Sequence, residues 1–310
     1  MISARSHFAR DLREEYEEDG YYNAIPVLSE EELERIHEGY LAYQDKVPKH
    51  IADPYKHKVH LLSSWADTLV HHPKVLDAVE AVLGENILCW TSNLLVKDAK
   101  SGAFVSWHQD SGYWGLEPAE VVTAWIALTP STKDSGCMQV LPATHRGEDY
   151  SHRDTFDKDN MLTRGQELEL EIHADDTVAL ELQPGEMSLH HIKLAHASGP
   201  NFSAEDRVGF AIRYMSANVK KEGAKESALL VRGERGDSDF IPETRLNQDW
   251  SAAARLQHNR ALRRQVANNY RSHGKGSFAQ RLRLKLKKLV SELFLDMSSL
   301  PLRLGIGARH

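Results

Sequence analysis

Ala103-Phe104-Val105-Ser106-Trp107-His108-Gln109-Asp110 decides how this chain is read. A β-rich run ends on a histidine with a carboxylate two residues later, so a strand entering a loop presents two metal-ligand side chains to one face. In a chain with 17 histidines an isolated His-x-Asp is a weak signal. A third group strengthens it. His196 lies just beyond another β-run, is followed by the small-residue turn Ala197-Ser198-Gly199-Pro200-Asn201, and precedes Arg207 by eleven residues. Two imidazoles and one carboxylate leave the opposite positions of a metal open, which is the ligand set of non-haem Fe(II) oxygenases. A 2-oxoglutarate held on such an iron needs a distant cation for its far carboxylate, and Arg207 offers the bidentate fork that a lysine lacks.

Short β-rich runs separated by turn residues surround these motifs: Ile87–Lys97, Ala103–Trp107, Val121–Leu128, Cys137–Leu141, Thr177–Leu182, Met187–His191 and Val208–Met215. Their spacing predicts a barrel or sandwich, with Pro184-Gly185-Glu186 turning the chain into the run at Met187. Helices are expected before them. One spans Phe8 to Gly20, and a second starts after Ser29, with Glu32 as its capping-box partner. A third runs from Pro73 to Gly84, with proline at its start and glycine at its end. After residue 216 the chain reads as polar and irregular, then helical from Asp249 to about Tyr270.

With 310 residues, 41% of them hydrophobic, the chain can bury a sizeable core as one domain. No secretory segment or membrane span is expected, and only Cys89 and Cys137 occur, which fits core thiols in a cytoplasmic protein. A net charge of -7 argues against nucleic-acid binding. From Lys275 to His310, eight basic against two acidic residues give +6, leaving -13 for residues 1–274. That shift marks the expected boundary between a body, 1–274, and a basic tail, 275–310. In the tail, Leu282, Leu286, Leu289, Leu293 and Met297 form a helical stripe beside basic residues, which suits docking on the body, pairing of subunits in a homo-oligomer or lying on an anionic membrane, with the first two expected.

The segments around Trp107-His108-Gln109-Asp110, Ala124-Trp125-Ile126-Ala127-Leu128, Gly136-Cys137-Met138-Gln139-Val140-Leu141-Pro142-Ala143-Thr144-His145-Arg146 and His196–Asn201 resemble the phytanoyl-CoA dioxygenase family of Fe(II)/2-oxoglutarate oxygenases. The resemblance covers roughly residues 8 to 220. It implies a mainly β fold, a double-stranded β-helix of the jelly-roll kind flanked by helices. It also implies His108, Asp110 and His196 as iron ligands, Arg207 and Ser198 on the distal carboxylate of 2-oxoglutarate, and Trp125, Asn93 and Lys97 lining the cosubstrate pocket. From the residues alone, Trp125 reads equally as core, Lys97 as a solvated strand end and Asn93 as a turn cap. His191 reads as a polar core residue, and His190, His71 and His72 as surface residues.

The implied reaction is hydroxylation of an unactivated carbon, with O2 as cosubstrate, succinate and CO2 as products, and ascorbate supporting activity. In related halogenases a small residue replaces the carboxylate ligand and opens a position for chloride, which Asp110 fills here. Candidate substrate contacts are Tyr113 and Trp114 after the ligand loop, Gln139 on a strand expected to face the metal, and His60 or Lys58 upstream. The loops Tyr113-Trp114-Gly115-Leu116 and Leu162-Thr163-Arg164-Gly165-Gln166 look similar to bacterial members that hydroxylate small polar molecules, aminoethylphosphonate among them. Arg164 and Arg232 would then meet an anionic group, although either also reads as solvated surface. Competing readings are an acyl-CoA hydroxylase of the same family, a jelly-roll metalloenzyme that does not use 2-oxoglutarate, and a non-catalytic sensor.

Overall fold

The computed structural model describes residues 2–48, 53–162 and 164–269, so the boundary at 274 and the basic tail lie outside the described residues. Six helices are present among them: α1 (Ile2–Asp19), α2 (Glu30–Lys46), α3 (Ser64–Val70), α4 (Pro73–Leu83), the one-turn α5 (Ser111–Trp114) and α6 (Ala252–Asn269). Ser29 caps α2 with its hydroxyl while Glu32 returns the bond to the Ser29 amide, so both orphan donors are satisfied. α4 carries Pro73 in its first turn and stops at Gly84, whose φ of 81° suits glycine.

Two sheets face one another in a jelly roll. The larger has the order β1 (Tyr21–Pro26), β10 (Glu186–His191), β5 (Val121–Ala127), β12 (Arg207–Ser216), β2 (Ile87–Lys97), β14 (Ser227–Arg232) and β15 (Ile241–Pro242). The smaller has the order β3 (Val105–His108), β11 (Ala195–Ser198), β6 (Met138–Leu141) and β9 (Val178–Leu180). Two ribbons complete the described strands, β4 (Leu116–Glu117) with β13 (Lys220–Lys221) and β7 (His152–Asp154) with β8 (Gln166–Leu168).

Alternation divides the large sheet into two chemistries. Val122, Ala124, Ile126, Met187, Leu189, Phe210, Ile212 and Tyr214 point outward into one apolar cluster with Trp65, Leu69, Val75 and Val79 of α3 and α4. Their neighbours in the strands, Thr123, Trp125, Ser188, His190, Arg207 and Arg213, point the other way, into the space between the sheets. The helices therefore stabilise the outer face and free the inner one for polar groups.

Several sequence expectations are corrected. The segment after residue 216 is not irregular throughout, because Ser227–Arg232 pairs with β2. Tyr21–Pro26 is an edge strand that ends in proline and shifts register between Tyr22 and Ile25, features that hide it from a periodicity reading. The helix expected from Phe8 begins at Ile2 instead.

Candidate functional site

β3 and β11 pair antiparallel with His196 opposite His108, and α5 begins directly after Asp110. This topology brings one ligand-type atom of each of His108, Asp110 and His196 within 4.8 Å of the others, with all three side chains buried. His108 Nε2 lies 3.6 Å from Asp110 Oδ1, and the two imidazole centroids are 4.1 Å apart. His108 Nδ1 donates to the Ser106 carbonyl and His196 Nδ1 to the Leu194 carbonyl, each at 2.9 Å. A carbonyl only accepts, so each Nδ1 carries the proton and each Nε2 keeps its lone pair for a metal.

Burial and the neighbouring His108 push His196 down to about 4, so its ring is neutral at pH 7, the form that ligates. Burial by itself would raise the Asp110 pKa. The neighbouring His108 and His196 rings and the Arg213 guanidinium outweigh it and hold the carboxyl well below the usual carboxylate range. Asp110 Oδ2 is buried without a hydrogen-bond partner, an orphaned acceptor that a divalent cation would satisfy. A hard carboxylate plus two largely buried imidazoles fits Fe(II).

Beside the triad sit two buried cations. Arg207 is 4% exposed, donates through Nη1 to the Gly136 carbonyl, stacks with its Cζ 5.4 Å from the centroid of the Trp125 ring, and leaves Nε without a partner. Lys97 is wholly buried rather than solvated, and its Nζ donates to Ser198 Oγ at 2.7 Å, to the Ser198 carbonyl at 3.1 Å and to the Gly199 carbonyl. None of these partners is a carboxylate. Two buried cations without a counter-charge call for an anionic ligand between them.

Trp125 lies on the inner face against Arg207 and also packs with Ala127, Leu182 and Ala211. It crosses Gly209, where an added Cβ would lie 2.0 Å from Trp125 Cζ2. Gly209→Ala is therefore expected to displace the indole that backs Arg207, lowering 2-oxoglutarate affinity severalfold while metal stoichiometry stays intact, as calorimetric titration would show.

Other sequence candidates fall elsewhere. Gln139 pairs with Ala197 and is exposed, on the opposite face from His196, so it does not face the triad. Lys58 and His60 have no exposed surface and belong to a network with Glu243, where Lys58 Nζ meets Glu243 Oε1 at 2.6 Å and His60 Nε2 lies 3.5 Å from Oε2. Lys58 Nζ also donates to the Trp90 and Ser227 carbonyls, and His60 Nδ1 meets Ser92 Oγ. Asn93 lies within β2 rather than at a turn, and its Oδ1 accepts from Arg213 Nη1. Trp114 stands over that same guanidinium, with its ring centroid 5.4 Å from Arg213 Cζ. Tyr113 lies in α5, and its side chain is outside the described residues. Arg232 pairs with Asp77 and Glu80 at the α4 surface, remote in role from the triad. Arg164 is buried, with Nε 3.6 Å from Asp154 Oδ1. His190 and His72 are buried, not surface residues, and the His190 ring lies 4.7 Å from that of His196. Sequence reading missed His190 and Arg213 as inner-face residues; their positions at even steps along β10 from Ser188 and along β12 from Arg207 were the available signal.

The family profile described as Phytanoyl-CoA dioxygenase (PhyH) matches residues 16–209. The chain belongs to the phytanoyl-CoA dioxygenase family. A probable alpha-ketoglutarate-dependent hypophosphite dioxygenase of Stutzerimonas stutzeri is 32% identical over 184 residues, covering 59% of this chain and 61% of that protein. The human peroxisomal phytanoyl-CoA dioxygenase is 28% identical, covering 53% of this chain and 59% of its own. The chain thus spans about three fifths of the length of these curated relatives. Among solved structures, the apo form of the non-heme monooxygenase ThoJ superposes with a TM-score of 0.74 at 32% identity, covering 91% of this chain and all of that one. A nickel complex of ThoJ gives 0.70 at 32% identity, over 82% of this chain and 97% of that one. Among the described residues, no helix is long and apolar enough to cross a membrane.

Proposed function

We propose that this member of the phytanoyl-CoA dioxygenase family is an Fe(II)- and 2-oxoglutarate-dependent dioxygenase. In this reading it hydroxylates an unactivated carbon of a small, polar, anionic or zwitterionic metabolite. The observation that carries the proposal is a buried two-histidine, one-carboxylate triad next to two buried cations that no carboxylate balances. Kinship with a hypophosphite dioxygenase and with a monooxygenase solved with nickel supports it. Free, buried Cys89 and Cys137 agree with a cytoplasmic setting.

His108, Asp110 and His196 hold the iron in this scheme, and Arg207 holds the distal carboxylate of 2-oxoglutarate with help from Ser198. When bound, iron with 2-oxoglutarate and O2 supplies an oxidant strong enough for a C–H bond, releasing succinate and CO2. The chain's own work is to fix ligand tautomers through the Ser106 and Leu194 carbonyls, to set the cosubstrate against Trp125, and to exclude water. Asp110 occupies the ligand position that a halide would need, which favours hydroxylation. The test is succinate release from the full chain with Fe(II), O2, ascorbate and 2-oxoglutarate, comparing aminoethylphosphonate, hypophosphite, small amino acids and acyl-CoAs. Succinate formation coupled to a small anion is expected. Coupling to acyl-CoA alone would transfer the reading to an acyl-CoA hydroxylase, and no succinate with any of them would remove it.

A pH effect follows from Lys97. Burial first, and then the Arg207 charge, push its pKa down to about 7. The ammonium is protonated below that value and neutral above it, and only the protonated form attracts a carboxylate. The affinity for 2-oxoglutarate is therefore expected to fall severalfold as pH rises from about 6 to about 8.5. Lys97→Met should flatten that dependence in the same titration.

A further inference from the structure

Arg213 lies on β12 six residues beyond Arg207, so alternation puts both guanidiniums on the inner face. The register sets Arg213 opposite Thr123 of β5, and Thr123 opposite His190 of β10. Three adjacent strands thus carry a guanidinium, a hydroxyl and an imidazole at one level of the sheet. The His190 ring stands 4.7 Å from His196, which brings this level beneath the triad. Six residues of strand span roughly 20 Å, so Arg207 and Arg213 approach the triad from opposite ends. The fields agree with that placement, since the charge of Arg213 acts on both Asp110 and His196.

This row has unmet polar capacity. Thr123 Oγ1, His190 Nδ1 and Arg213 Nε are all buried without a hydrogen-bond partner. Arg213 is held in orientation from two sides, by Asn93 Oδ1 and by the Trp114 ring in the turn that follows Asp110. Buried polar groups left without partners are costly, and unpartnered groups at one level of three adjacent strands suit a ligand with several oxygens. Charge points the same way. On the inner face the Asp110 carboxylate stands against Arg207 and Arg213, and against Lys97 as well below pH about 7. An Fe(II) ion and a 2-oxoglutarate dianion cancel each other, so loading the centre leaves that positive excess in place.

We propose that Arg213, Thr123 and His190 form an oxyanion-binding row that grips the carboxylate, phosphonate or phosphinate group of the substrate, on the side of the triad away from Arg207. This rests on the proposed function and names the group by which its substrate is recognised. Arg213 sets the anion's position by charge, while Thr123 and His190 complete its hydrogen bonds.

The test uses the full chain loaded with Ni(II) and saturated with 2-oxoglutarate, so that the Arg207 end is filled. Methylphosphonate, hypophosphite and acetate are then titrated by calorimetry as probes. At least one probe is expected to bind. Arg213→Gln should weaken it by about tenfold or more, Arg213→Lys should recover part of the loss, and Thr123→Val should weaken it severalfold. Nickel stoichiometry and 2-oxoglutarate affinity should be unchanged in all three. The row is refuted if no probe binds the wild type, or if both Arg213→Gln and Thr123→Val bind probe as the wild type does. An equal loss of 2-oxoglutarate affinity in Arg213→Gln also overturns it, by assigning Arg213 to the integrity of the sheet. If the wild type binds no 2-oxoglutarate yet retains Arg213-dependent binding of a probe, the proposed function fails and the row stands.

Discussion

Replacing His196 with alanine is expected to lower iron affinity by more than about a hundredfold and to abolish succinate formation. Groups that merely orient a ligating histidine are commonly worth ~10–100-fold in metal affinity, and here the ligand itself is lost. The Leu194 carbonyl that fixes the His196 tautomer would be left with nothing to hold, and His108 and Asp110, 3.6 Å apart, would be the remaining pair. Folding should survive, because His196 is pressed against the His108 and His190 rings and its removal relieves crowding among three imidazoles. Metal stoichiometry and a thermal melt on the same sample separate these effects. An alanine variant that melts normally, binds a full equivalent of iron and turns over would refute the triad.

How legible each part was depended on whether its signal was local. α2 and α4 announced themselves through caps, Ser29 with Glu32 and Pro73 with Gly84, because a helix terminus is settled by a few neighbouring residues. β2 was readable from end to end as Ile87–Lys97, being a long and largely apolar run. His108 and Asp110 were readable because they are two residues apart, and His196 because a turn follows it. What sequence does not contain is the pairing partner of a strand. Gln139 was assigned to the metal face, but one step of register along β6 separates inward from outward, and Val140, not Gln139, stands opposite His196. Lys58 adopts a left-handed conformation at φ 48°, and the short turn that follows carries His60 under the sheet toward Glu243, a contact 183 residues away for His60 that no local pattern encodes. Arg213 and His190 were obscured for a different reason. β12 is buried on nearly every residue and β10 on most, so the usual alternation of buried and exposed positions that would single out an inner face is missing.

Arg207→Ala is expected to raise the dissociation constant for 2-oxoglutarate far more than Lys97→Ala does, although both cations are buried side by side. Lys97 has three protons, and Ser198 Oγ, the Ser198 carbonyl and the Gly199 carbonyl already accept from Nζ, so it adds field but has no donor left over. Arg207 gives one bond to Gly136 and keeps Nε unpartnered, with its plane set by the Trp125 ring 5.4 Å from Cζ. It can therefore meet a carboxylate with directed N–H groups. Truncating one partner of a buried, hydrogen-bonded charge pair costs about 2–5 kcal/mol, roughly a thirtyfold to several-thousandfold weaker complex. Arg207→Lys should recover little of this, since an ammonium does not reproduce the fork or the stacking on Trp125. Iron binding should be untouched in both variants, because neither Arg207 nor Lys97 belongs to the ligand group of His108, Asp110 and His196. Calorimetric titration of 2-oxoglutarate into Ni(II)-loaded wild type, Arg207→Ala and Lys97→Ala decides the matter. An unchanged affinity in Arg207→Ala, with the loss falling on Lys97→Ala instead, would move the cosubstrate anchor to the lysine.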